Sequence, residues 1–186
     1  MAKFQFQETI TSVDVFSARL GANTVAINGT FDDKEVNKPV KQVGESRYDL
    51  CAAGDPIEGF ITSMEAASVD GYAFGSVGKA GRKTVTFDGL QATPGTGTLA
   101  VGDYVVTGTV VAKGTVLPGA PKVCKATNQP GATVTSADNV VGNINAAIAK
   151  VVDAQKNTVF AWRVVSLGSA GTGAVGTTGV IEATGC

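Results

Sequence analysis

Residues 54–89 read GDPIEGFITSMEAASVDGYAFGSVGKAGRKTVTFDG, a succession of short apolar runs interrupted by glycine, twice as Asp-Gly. Asp-Gly suits a two-residue hairpin loop because both central positions of that turn need positive φ. With Asp70-Gly71 as the loop, Val69 pairs with Tyr72 and Ala67 with Phe74 on one face. Met64, Ala66, Ala73 and Val77 then populate the other face. Both faces are semi-apolar, whereas an antiparallel sheet with one wet side alternates between apolar and polar. The hairpin is therefore expected to be covered on both sides, by its own fold or by a partner.

Working outward, turns are expected at Gly54-Asp55-Pro56, at Gly78 to Gly81 and at Asp88-Gly89. Upstream, Asn28-Gly29 is a second hairpin signal, and the charged stretch FDDKEVNKPVKQVGESR, 31–47, reads as a solvated loop in which Pro39 breaks any helix. Residues 1–20 alternate weakly through Phe4, Phe6, Val13 and Val15, as an N-terminal arm followed by a first strand would. Downstream, Val101, Tyr104 to Val106 and Val110 to Ala112 suggest one long strand with a bulge or corner at Gly108. The polar stretch Leu117 to Thr135 reads as loop or short edge strand. Residues 138–155 fit a helical stripe (Val141, Ile144, Ile148, Val151, Val152) and equally a strand entering a hairpin. Phe160 to Leu167 and Ala174 to Thr184 form a closing strand pair. No self-similarity at a period of 20–50 residues emerges, which excludes a solenoid.

With 186 residues, 24 of them glycine, the chain suits a β-rich fold with many tight turns and a core that needs no staples. The expected fold is all-β, a jelly-roll-like sandwich or barrel, with an N-terminal arm over 1–20, a single domain over 21–186 and room for one short helix.

Fifteen basic residues face sixteen acidic ones, a formal net charge of -1, and no basic stripe of the kind that binds nucleic acid is present. The opening MAKFQFQETITSVDVF has no secretory h-region and no apolar run reaches bilayer length, so synthesis in a cytoplasm is expected, with no membrane partner. Cys51, Cys124 and Cys186 are too widely spaced for a zinc site or a disulfide framework. Cys51 reads as a small buried hydrophobe.

There is no histidine, which removes the usual general base and every Ser-His or Cys-His pair. The closest carboxylate groupings are Asp55/Glu58 and Asp32/Asp33/Glu35. Gly54-Asp55 and Gly102-Asp103 look like turns in which Asp bonds local backbone, and Asp32 to Glu35 lie in the charged run. GTGAVG, 171–176, matches a dinucleotide fingerprint literally, yet only ten residues follow it, too few for the helix and acidic residue that motif needs. Trp162, in step with Phe160 and Val164 at period two, reads as core rather than as a sugar-stacking platform. No catalytic residue, cofactor site or metal site is expected, and the chain reads as no enzyme.

The stretches DGYAFGSVGKAGRKTV, 70–85, LAVGDYVVTGTVV, 99–111, WRVVSL, 162–167, and GTGAVGTTGVIE, 171–182, together resemble the capsid decoration, or cement, proteins of tailed bacteriophages. The resemblance covers about half the chain and rests on glycine and apolar patterns. It implies a non-enzymatic virion protein on the outer surface of an icosahedral capsid, clamping adjacent major capsid subunits. It also implies a homo-oligomer, a trimer before a dimer. Phe4, Phe6, Tyr72 and Phe74 are the expected interface residues. A carbohydrate-binding or adhesion module displayed on a particle or cell is the alternative.

Overall fold

The computed structural model describes residues 15–20, 31, 33–45, 47–65, 73–129, 144–152 and 161–184. The first strands are β1 (Val15–Leu20), β2 (Pro39–Gly44), β3 (Arg47–Leu50), β4 (Gly59–Glu65) and β5 (Ala73–Gly78). They close into a barrel in the order β1-β3-β2-β4-β5, in which β1 and β3 run parallel and the other neighbours antiparallel. After Lys79 to Gly81 come β6 (Arg82–Leu90), β7 (Thr93–Pro94), β8 (Tyr104–Thr107), β9 (Lys122–Lys125), β10 (Trp162–Ser166) and β11 (Thr178–Ala183). Their sheet runs β11-β10-β8-β9-β6-β7, and pairing of β11 with β6 closes a second ring, with β7 outside it. Of the sandwich and barrel forms expected for an all-β chain, the structure adopts the barrel.

The two rings are built alike, register for register. The parallel pair Leu20 and Tyr48 of the first recurs as Phe87 and Val123 in the second. Val40 opposite Leu50 recurs as Val105 opposite Lys125, and Val40 opposite Gly59 as Val105 opposite Trp162. Ile61 opposite Val77 recurs as Val164 opposite Ile181, and Phe16 opposite Val77 as Lys83 opposite Ile181. A bulge falls between Ile61 and Ser63 in β4 and at the matching place, between Val164 and Ser166, in β10. One barrel topology thus occurs twice in tandem. The sequence hides it because the matched core residues of the two rings are buried alike while few matched residues share an identity: Val40 and Val105, Ser63 and Ser166, and Gly75 and Gly179 do.

Each ring is filled by inward side chains, as small barrels are. Leu20, Phe31, Val40, Tyr48, Ile61 and Val77 fill the first. The second core gathers Val85, Phe87, Leu99, Val105, Val123, Trp162, Val164 and Ile181, and it also takes Ile57 and Phe60 from the first half of the chain. Alternation along β4 explains the sharing: Ile61 points into its own barrel, so Phe60 points out of it. There Phe60 meets Trp162 edge to face, ring centroids 5.0 Å apart.

Several expectations are corrected. Phe74 pairs with Glu65 rather than Ala67, an offset of two residues, the step that leaves the face of Phe74 unchanged. Val69 and Tyr72, the other expected pair, lie outside the described residues. Asp88-Gly89 is no turn: β6 runs on to Leu90, the turn is at Gln91-Ala92, and Asp88 is buried. Gly89 still has a positive φ of 87°, and a Cβ there would collide with the Thr96 backbone. The long strand through Gly108 stops at Thr107, because the buried Asp88 carboxylate accepts hydrogen bonds from the Thr109 N–H (2.7 Å) and hydroxyl (2.6 Å) and diverts the backbone. Within 117–135, β9 is an inner strand between β6 and β8, not an edge. The 31–47 stretch is no solvated loop either, since it holds a single 3-10 turn (Asp33–Glu35), strand β2 and a fully buried Glu35. The open choice over 138–155 resolves as a helix, α1, at 144–152.

Candidate contact surface and the crevice between the barrels

The barrels meet along a polar seam beside the shared core. Gly54 N–H donates to Thr107 O (2.8 Å) and Thr107 N–H returns a bond to Asp55 O (2.9 Å), a small ladder between the halves. Gln91 spans the joint, donating to Gly54 O at 3.1 Å and accepting from Thr127 N–H at 2.9 Å. Lys83 donates to Asn37 Oδ1 at 2.6 Å, and burial lowers its pKa.

Residues 109–121 leave β8 and reach over onto the first barrel. There Glu35 and Lys38, both buried, form an ion pair at 2.5 Å. The other Glu35 oxygen accepts from Gly114 N–H at 2.5 Å, and Lys38 Nζ also donates to Ala112 O at 3.1 Å. Lys113 Nζ sits 4.5 Å from the centre of the Phe31 ring. Sequence reading missed this cluster because Asp32 to Glu35 resembles any exposed charge run. The signal present in the sequence was the Glu-x-x-Lys spacing, which places opposite charges on one side of a helical turn.

Beneath 109–121 lies a small crevice, open on one side, lined by Lys38, Pro39, Leu50, Cys51, Thr107, Val110, Val111, Leu117 and others. Cys51 Sγ donates to Pro56 O at 3.6 Å, and burial, outweighing the nearby Thr107 hydroxyl, pushes its pKa up to about 12. A thiol held neutral in this way is a poor nucleophile. Among the described residues no carboxylate lines the crevice.

Asp55 and Asp103, two carboxylates singled out in the sequence, are occupied elsewhere. Asp55 accepts from Ala52 N–H (2.7 Å) and from Lys41 Nζ (2.6 Å), and that hydrogen bond raises the Lys41 pKa. Asp103 accepts from Ala100 N–H at 2.8 Å. Both are the local backbone brackets expected of turn aspartates. Asp33 is exposed and Glu35 is turned inward, so these two do not converge, and Asp32 lies outside the described residues. Among the described residues no group of three or more His, Cys, Asp or Glu side chains could hold a metal. Trp162 is 2% exposed and belongs to the core.

Of the expected interface residues, Phe74 is described and is 42% exposed, while Phe4, Phe6 and Tyr72 lie outside the described residues. The structure adds a surface feature. On α1, Ile144, Ile148 and Val152 are exposed (42%, 55% and 40%), whereas Ala147 is buried. Spacing of four residues aligns the three on one helical face. Of the stripe read in the sequence, Ile144, Ile148 and Val152 point outward, Val151 is half-buried beside the buried Ala147, and Val141 lies outside the described residues. No described helix is long and apolar enough to cross a membrane. No family model matches the chain, and no curated protein or solved structure matches it.

Proposed function

We propose that this chain is a capsid decoration protein that binds the outer surface of an icosahedral phage shell and clamps adjacent major capsid subunits, acting as a homo-oligomer, with a trimer favoured over a dimer. The observation that carries the reading is the outward stripe Ile144, Ile148 and Val152. Scattered exposed apolar residues are ordinary on a protein surface, but three aligned on one helical face make a surface suited to contact. Exposed Phe74 on β5 adds a second such position. The near-balanced charge and the coupling of two barrels through one core suit a rigid brace that works by adding interface area across a joint. Repeating weak contacts around an oligomer multiplies their effect.

Co-sedimentation with empty phage heads tests the reading. The intact chain should pellet with heads, and Ile148→Asp or deletion of residues 1–10 should lower its apparent affinity tenfold or more. Ile148 is 55% exposed, so its substitution should change folding stability by about 0.5 kcal/mol or less. Failure of the intact chain to pellet, or equal binding by both variants, would refute the capsid reading. Native mass measured on the same sample separates trimer from dimer.

A further inference from the structure

We propose that residues 109–121 are a movable strap over the crevice between the barrels, latched shut by the buried Glu35–Lys38 pair, so that this pair controls access to the crevice and to Cys51. The inference is independent of the capsid reading.

The strap is held at both ends and at its tip. At its base, Asp88 grips the N–H and hydroxyl of Thr109. At its tip, Ala112 and Gly114 bond to Lys38 and Glu35, and Lys113 lies over Phe31. Between tip and β9, its backbone bonds are local ones, Thr115 N–H to Ala112 O and Gly119 N–H to Leu117 O, until Pro121 O, next to β9, accepts from Thr86 N–H at 2.9 Å. Val116 is 64% exposed and Val110 42%. A segment with few long-range bonds and little buried surface opens at low cost, so its closed state depends on the few contacts at its tip.

Those contacts are conditional on charge. The pair stands on the first barrel without help from the strap, because Lys38 N–H donates to Glu35 O and Lys38 O accepts from Ile61 N–H. Away from water, a carboxylate and an ammonium need each other, and loss of either leaves a buried charge that must find water. The nearest way to admit water is to lift the tip. Lifting it uncovers the crevice wall formed by Val110, Val111 and Leu117, behind which Cys51 is 5% exposed.

Two readouts test this on the whole chain. Trypsin can cut the Lys113–Gly114 bond only when the tip is free, and a thiol reagent reports Cys51 in a Cys124→Ser/Cys186→Ser background. Glu35→Gln and Lys38→Met should each speed both reactions tenfold or more. Glu35→Gln/Lys38→Met removes both charges yet keeps an acceptor for Gly114, so it should fall between the wild type and the single variants. Rates equal to wild type would overturn the proposal, as would cleavage spread over all basic residues, which marks global unfolding. Hydrogen exchange on the wild-type protein gives a check free of mutation. The Gly114 amide should exchange by a local opening, well ahead of Val123 and Val164. Exchange of Gly114 only together with those core amides would likewise overturn the strap.

Discussion

Gly75 and Gly179 show what single residues contribute. A Cβ on Gly75 would strike Ser63 O and the Leu20 side chain, and a Cβ on Gly179 would strike Ser166 O and the Phe87 ring. Those are corresponding atoms of corresponding residues: the strand bulge carries Ser63 and Ser166, and Leu20 and Phe87 are the matched core residues of β1 and β6. Each barrel closes too tightly there to admit a side chain, whichever core residue fills it. Gly75→Ala and Gly179→Ala should each destabilise the fold by about 1–3 kcal/mol through overpacking, read as a lower urea midpoint. The larger loss should fall at Gly179, where the obstacle is a buried aromatic ring. Wild-type midpoints in both variants would show that the matching is coincidental. Glycine was legible in the sequence as a turn former. Its use here, inside strands, was not, because close approach depends on which residue lies across the sheet.

At the scale of elements, β4 does the joining. Its alternation sends Ile61 into one barrel and Phe60 into the other, so one strand serves two cores. Phe60→Ala should cost about 3–5 kcal/mol, the usual loss for a buried phenylalanine, and should alter the fluorescence of Trp162 in the second barrel. Calorimetry and Trp fluorescence on the variant decide it, and an unchanged Trp162 signal would mean that the ring contact does not couple the halves. The strands themselves were readable in advance. The β4–β5 hairpin, the turns with Asp55 and Asp103, and the closing pair β10–β11 follow from alternation and turn chemistry, which act locally. Strand ends misled where a distant group intervened: Asp88 cut β8 short by capturing Thr109, and Pro39 opened a strand where only helix breaking was anticipated.

For the whole molecule, burial of the thiols ties stability to alkaline pH. Burial raises Cys51 from 9.0 to about 12, and burial, with the nearby Asp88 charge, raises Cys124 from 9.0 to about 11. Both groups keep their protons longer in the folded state. Their contribution is therefore complete below pH 9.0 and is lost as pH rises toward 11 and 12. Urea midpoints measured across that window should fall steadily, and Cys51→Ala should flatten the decline. A variant whose stability falls as steeply as the wild type would place the alkaline loss on other groups. The tandem architecture also belongs to this scale. Two rings with the same pairings, the same bulge and the same tight glycine arise from stretches that share few residues, since a barrel asks for apolar side chains at inward positions and tolerates many identities there.

The sequence by itself determined the β class, the turns at Asp55, at Gly78 to Gly81 and at Asp103, the balanced charge, and the core role of Trp162 and Cys51. These follow from short-range rules of alternation, turn geometry and composition. Tertiary structure alone decided that the strands close twice into the same barrel, that Phe60 is shared, that Glu35 and Lys38 are buried together, and that the helix turns its isoleucines outward. Each of these depends on which distant segment arrives at a given face, and burial by a distant neighbour leaves no local mark in the chain.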